Sequence, residues 1–236
     1  MNTLKIEART FGIFFILAFV SYGLGSSLVE SIISTPDVLT NIYENKSRFI
    51  VGIILMALIH SFVIIGSAVI MLPILKPYNR YLAYGYFSAA IIATIVLIVG
   101  AISLLLLLPL SDEFTTGISA NITHFELITS ILKNGGFFAY QIGMAIWGIG
   151  GLLFCILLNK SKLVPQWLTI WGLIGYAIFI SGTIAELYGM PIGVQLSLPG
   201  GLFEIVLSLW LIIKGFNFSN EFADTRNGSA HDINVT

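Results

Sequence analysis

Six apolar runs dominate the chain, each separated from the next by proline, glycine, asparagine or charge: Phe11–Val29, Phe49–Leu75, Leu82–Leu110, Gly135–Leu158, Val164–Tyr188 and Leu198–Phe216. A helix of about 20 apolar residues crosses the hydrocarbon core of a bilayer. The pattern therefore predicts an all-α polytopic membrane protein, a bundle of six transmembrane helices within residues 1–216. The second and third runs exceed what a core of about 30 Å requires, which predicts tilt or helix continuing past the membrane. After Asn217 the sequence turns polar and aperiodic, and residues 217–236 read as a disordered cytoplasmic tail.

Two short amphipathic helices are expected outside the membrane. Thr35-Pro36-Asp37 offers a capping hydroxyl, a proline for the first helical position and an acid for the first turn, so a helix should start there and run toward Arg48. Thr123-His124-Phe125-Glu126 fits a capping box, and Leu127, Ile128, Ile131 and Leu132 follow at helical spacing. That segment reads as a helix lying on the outer surface or packed over the bundle as a lid. Lipid supplies no hydrophobic drive between spans, so small residues should mark packed faces. Three ladders spaced by four carry that signal: Gly85-Ala89-Ala93, Ala177-Ser181-Ala185 and Gly200-Glu204-Ser208.

Composition agrees with the pattern: 57% of the 236 residues are hydrophobic and 10% charged, against roughly 25% charged in soluble domains. A net charge of -1 with short charged segments gives no basic surface for nucleic acid. The single cysteine, Cys155, excludes an intrachain disulfide and a multi-cysteine metal cage. Met1–Arg9 with Lys5 and Arg9 imitates the start of a secretory signal, but the apolar run is too long and no A-x-A-like site follows, so it reads as a retained span. Of the 11 Lys and Arg, eight (Lys5, Arg9, Lys76, Arg80, Lys160, Lys162, Lys214 and Arg226) fall on one side and three (Lys46, Arg48 and Lys133) on the other. That bias places both termini in the cytoplasm. Tyr22, Trp167, Tyr188 and the group Tyr78, Tyr81, Tyr84 and Tyr86 read as interfacial anchors.

Four motifs follow in order: Leu75-Lys-Pro-Tyr-Asn-Arg-Tyr-Leu-Ala-Tyr-Gly-Tyr86, Val99-Gly-Ala-Ile-Ser-Leu104, Pro165-Gln-Trp-Leu-Thr-Ile-Trp-Gly-Leu-Ile-Gly175, and Phe203-Glu204 with Trp210-Leu-Ile-Ile-Lys-Gly-Phe216. Together they resemble the bacterial integral membrane family known as domain of unknown function 4386, over nearly the whole chain. The resemblance implies a six-helix inner-membrane protein and no assigned activity. Members of that family commonly carry an arginine and a glutamate three apart after the Gly-Tyr pair of the third span. Here Ala90 and Ala93 stand at those places, so a role resting on that pair does not carry over.

Four polar side chains in the spans stand out: Glu204, His60, Gln141 and Glu186. A charge at the centre of a span costs roughly 3 kcal/mol on insertion scales, so Glu204 needs a partner, a water cavity or a proton. Counted from the outer ends of the runs, Gln141 and Glu204 lie about 9 Å deep and His60 about 16 Å, so they could converge in one outward-facing pocket; Glu186 lies within a turn of the outer end. No paired catalytic acid and base is evident, no H-x-x-x-H spacing occurs, and no cofactor motif is present. Two function classes lead, a small-ligand or proton-linked membrane protein, transporter-like or sensory, and a non-catalytic structural or accessory subunit, and a membrane enzyme ranks third. The lipid bilayer is the one sure partner, a small molecule or proton is the candidate ligand, and the sequence sets no oligomeric state.

Overall fold

The structure, a computed structural model, describes residues 2–117 and 122–217, so the tail read over 217–236 lies, past Asn217, outside the described residues. The described chain is helical: α1 Asn2–Ile33, α2 Val38–Glu44, α3 Lys46–Ile53, α4 His60–Leu75, α5 Arg80–Leu105, α6 Leu107–Thr116, α7 Ile122–Ser161, α8 Gln166–Leu187 and α9 Gly193–Ile213, with a π-helical turn, Ile54–Ile59, joining α3 to α4. Six stretches are long and apolar enough to cross a membrane: α1, α3 through α4, α5 through α6, α7, α8 and α9. Large apolar side chains such as Phe62, Leu58 and Ile213 lie bare on the outside of the bundle, as a lipid-facing surface requires. This is a multi-pass membrane protein.

Neighbours in sequence are neighbours in space. α1 packs on α4, α4 on α5, α5 on α7, α7 on α8, α8 on α9, and α9 returns to α1, closing a ring of six. Short turns impose this order, because consecutive antiparallel helices have little choice of partner. The end that holds the N-terminus, the α4–α5 turn and the α7–α8 turn is tied by Arg9 Nε donating to Ile212 O at 3.1 Å and Asn217 N donating to Leu163 O at 2.7 Å. The opposite end gathers α2, α6 and the start of α7. Ser111 Oγ donates to Leu39 O (2.6 Å), Lys133 Nζ donates to Ile33 O (2.7 Å), and Lys46 pairs with Asp112 (2.8 Å). One apolar cluster fills the first half, around Phe11, Met71, Phe154 and Phe203, and a second, around Ile42, Phe49 and Leu107, closes part of the other.

Several local expectations are revised. The first outer helix begins at Val38 with Asp37 as its cap residue, and the Asp37 side chain makes no cap bond. Thr35 is instead turned back, donating to Ile32 O and accepting from Asn41 Nδ2 at 2.6 Å. Thr123 stands inside the first turn of α7, and the amphipathic segment is the beginning of the fourth span. Forty residues of unbroken helix run about 60 Å, twice the hydrocarbon thickness, so this segment rises out of the membrane and packs Phe125 on Phe114. The third span is broken ahead of Pro109: a proline ring excludes the carbonyl four residues back, and α5 stops at Leu105, with α6 continuing from Leu107. Of the small-residue ladders, the one on α8 faces outward: Ala177 and Ser181 are exposed. The packed stripe there is Gly172, Gly175, Tyr176, Phe179 and Gly182, because glycine lets backbones approach closer than alanine does. An added Cβ on Gly175 would lie 3.1 Å from the Gly200 backbone of α9.

Candidate functional site

A cavity of about 290 Å³ lies inside the ring, and all six spans contribute to its wall. Among the described residues, Glu204 of α9 is its only acid. Because α9 starts at Gly193, five residues ahead of the apolar run, Glu204 lies eleven residues in, about 16 Å along the helix and near its middle. It is buried, at 8% exposure. Two side chains from two other spans converge on one of its oxygens: Tyr176 OH of α8 donates to Oε1 at 2.6 Å, and Trp147 Nε1 of α7 donates to the same atom at 2.9 Å. Oε2 receives no hydrogen bond from any described residue. The carboxylate is thus half satisfied by the protein, on a residue that borders open space.

The wall is mostly ring and aliphatic carbon. Phe15 lies 5.7 Å from Trp147, centroid to centroid. Nearer the end that carries α2 and α6, Tyr22 stacks on Tyr140 at 5.8 Å and meets the edge of His60 at 5.1 Å. His60 Nδ1 lies 3.2 Å from Ala18 O. A carbonyl can only accept, so Nδ1 carries the proton. His60 is the residue at which the π-helical turn ends and α4 begins, and such turns often accompany functional sites. Lining residues reach the surface on α1, where Phe19 and Gly23 are exposed, and partly on α9 at Ser197 and Gly201. The cavity therefore opens between α1 and α9.

Gly151 of α7 sets the position of Tyr176. A Cβ built there would collide with the Tyr176 ring, so the missing side chain is what lets the phenol lie flat against α7 and reach Glu204. The segment Gly148-Ile-Gly-Gly151 is a packing surface, with Gly148 against Ile180 and Gly150 against Ala89.

The four polar residues picked from the sequence separate into two groups. His60 and Glu204 border the same cavity; Gln141 and Glu186 do not. Gln141 is buried on α7. Glu186 Oε1 accepts the backbone N–H of Gly193 at 2.7 Å, so its carboxylate caps the first turn of α9, where orphan N–H groups favour an anion. Tyr22 and Tyr86 are not interfacial anchors: Tyr22 lines the cavity, and Tyr86 is 1% exposed and stacks on Phe154. Trp147 and Tyr176 were not among the residues picked, although each sits in the middle of its apolar run. A buried indole N–H or phenol O–H in a span must find an acceptor, and Glu204 is the acid at matching depth.

Among the described residues no group of three or more His, Cys, Asp or Glu is arranged to hold a metal ion. The family model described as domain of unknown function (DUF4386) matches residues 10–215, and the chain belongs to that family. No curated protein and no solved structure matches it.

Proposed function

We propose that this member of the DUF4386 family is a non-enzymatic ligand-binding protein of the bacterial inner membrane, transporter-like or sensory, whose central cavity is the ligand site. One observation carries this reading: a carboxylate stands midway along a helix long and apolar enough to cross a membrane, beside about 290 Å³ of open space, with one of its two oxygens taking no hydrogen bond from any described residue. A charge in a span costs roughly 3 kcal/mol, and open volume forfeits packing contacts. A bundle needing only cohesion would be more stable without either. Both termini are assigned to the cytoplasm, so the mouth between α1 and α9 lies in the outer half of the bilayer. Lys5 and Arg9 lie in the opening turns of α1, and Lys76, Arg80, Lys160, Lys162 and Lys214 at or next to helix ends, all on the terminal side, and they support that orientation. Two of the three opposing cations, Lys46 and Lys133, are bound to Asp112 and to the Ile33 carbonyl.

The second reading has its own observation. Trp147, Tyr176 and Glu204 join α7, α8 and α9 through hydrogen bonds, as a purely structural polar cluster would. The two readings part on solvent access. In the Met144→Cys variant, at a partly exposed position on the cavity wall, a small water-borne methanethiosulfonate should modify the folded protein at residue 144 while leaving Cys155, buried in the core, unreacted. An unreactive Met144→Cys, together with a Glu204→Gln variant of unchanged stability and unchanged pH response of tryptophan fluorescence, would leave the structural reading in its place.

A further inference from the structure

The cavity's chemistry narrows what it can hold. Its one acid has Trp147 and Tyr176 as donors to Oε1, and no described lining residue is Lys or Arg. Anionic ligands would therefore meet a carboxylate and no countercharge. A bare calcium or magnesium ion is equally ill served, since such ions take six or more oxygen ligands and the described lining offers one carboxylate among rings. Around it stand the rings of Phe15, Phe19, Tyr22, Tyr140 and Phe179. Aromatic faces attract cations through their quadrupole, and recognition of quaternary ammonium groups by rings is the best-known use of that force. A carboxylate in a low-dielectric pocket also favours a countercharge that needs little hydration. The mouth between α1 and α9 is bordered by Phe19, Gly23, Gly201 and the hydroxyl-bearing Ser197, so an occupant reaches the cavity across a mostly apolar, uncharged surface.

Resting on the reading of the cavity as a ligand site, we propose that it binds a lipophilic organic monocation, an amine or quaternary ammonium, with the cationic head beside Glu204 and the organic body among the rings. The head meets Oε2 of Glu204, the oxygen without a protein donor. The rings supply both apolar contact and cation–π attraction. His60 lies on the same wall, held through Nδ1 by Ala18 O; with that proton engaged, Nε2 of the neutral ring is an acceptor suited to an N–H of a protonated amine.

The test uses the full chain purified in detergent and two probes of nearly the same shape: phenyltrimethylammonium, and its uncharged isostere tert-butylbenzene. Binding is read by calorimetry and by the shift in thermal midpoint. We expect the cation to bind at least tenfold tighter than the isostere. Glu204→Gln should weaken the cation at least tenfold and leave the isostere within twofold. Should Glu204→Gln fold poorly, Phe19→Leu, at the mouth, keeps an apolar side chain without the ring and should weaken the cation severalfold while sparing the isostere. Equal binding of both probes, insensitive to Glu204→Gln and Phe19→Leu, overturns the cation assignment and leaves an apolar ligand site standing. Binding of neither probe overturns the cation assignment and the ligand-site reading together.

Discussion

The bond from Tyr176 to Glu204 can be weighed directly by Tyr176→Phe. The change removes one oxygen and keeps the ring, which still packs edge-on to Phe203 at 5.7 Å and against Gly151, so no cavity opens. Glu204 Oε1 keeps Trp147 as a donor at 2.9 Å. The lost contact is 2.6 Å, in the range of charge-assisted O–H···O bonds, and hydrogen bonds to charged groups contribute about 1.5–3 kcal/mol in water-soluble proteins. Interhelical bonds measured in a bilayer contribute less, about 0.6 kcal/mol on average and about 1.7 at most. The short distance and the burial place this bond at the upper end, so Tyr176→Phe should cost about 1–1.5 kcal/mol. Reversible unfolding in mixed micelles by added sodium dodecyl sulfate measures it. Paired with Glu204→Leu, the two losses should fall short of additivity by about 1 kcal/mol. A cost below about 0.3 kcal/mol, or strictly additive losses, would refute the claim that this bond joins α8 to α9.

Three further outcomes follow from the geometry. Gly151→Ala should destabilise by about 1–3 kcal/mol, as overpacking does, and because the new methyl displaces the Tyr176 ring, most of the loss should vanish in a Tyr176→Leu background in the same unfolding assay. Glu186→Ala removes the acceptor at the start of α9 and should cost about 1 kcal/mol while leaving probe affinity within twofold, which separates a cap from a ligand contact. Single cysteines test topology: with Ser47→Cys at the α2–α3 end and Ser161→Cys at the α7–α8 turn, a membrane-impermeant thiol reagent should label residue 47 and spare residue 161 in intact cells, and the reverse pattern would invert the assigned orientation.

The ring order bears on how such a protein could work. Each span touches its two neighbours in the ring, and all six contribute residues to the cavity wall. The three-way junction of Trp147, Tyr176 and Glu204 lies on α7, α8 and α9, whereas Tyr22, His60 and Tyr140 join α1, α4 and α7. α7 belongs to both groups. A ligand that rearranged either set of contacts would act on this long helix, whose first turns lie beyond the membrane.

What the sequence determined alone is the part governed by additive, local energetics. Each apolar side chain contributes its own transfer free energy whatever its neighbours do, so six runs mean six spans, and an acid within the last run marks a place where something must offset its charge. Helix rotation, translation and partner choice are a different matter. Where every face of a helix is apolar, hydropathy carries no signal for which face turns inward. That is why α8 presents Gly172, Gly175 and Tyr176 rather than the alanine and serine ladder. Likewise, the depth of Glu204 depends on where α9 begins, at Gly193 and ahead of the apolar run, because Glu186 caps it from the preceding helix. The π-helical turn before His60 runs through Ile54-Leu-Met-Ala-Leu-Ile59, which contains no proline or glycine to announce it. The convergence of Trp147 and Tyr176 on one oxygen joins residues 57 and 28 positions from Glu204 in the chain. Only the packed ring, through close approaches such as that at Gly151, brings them within hydrogen-bonding reach.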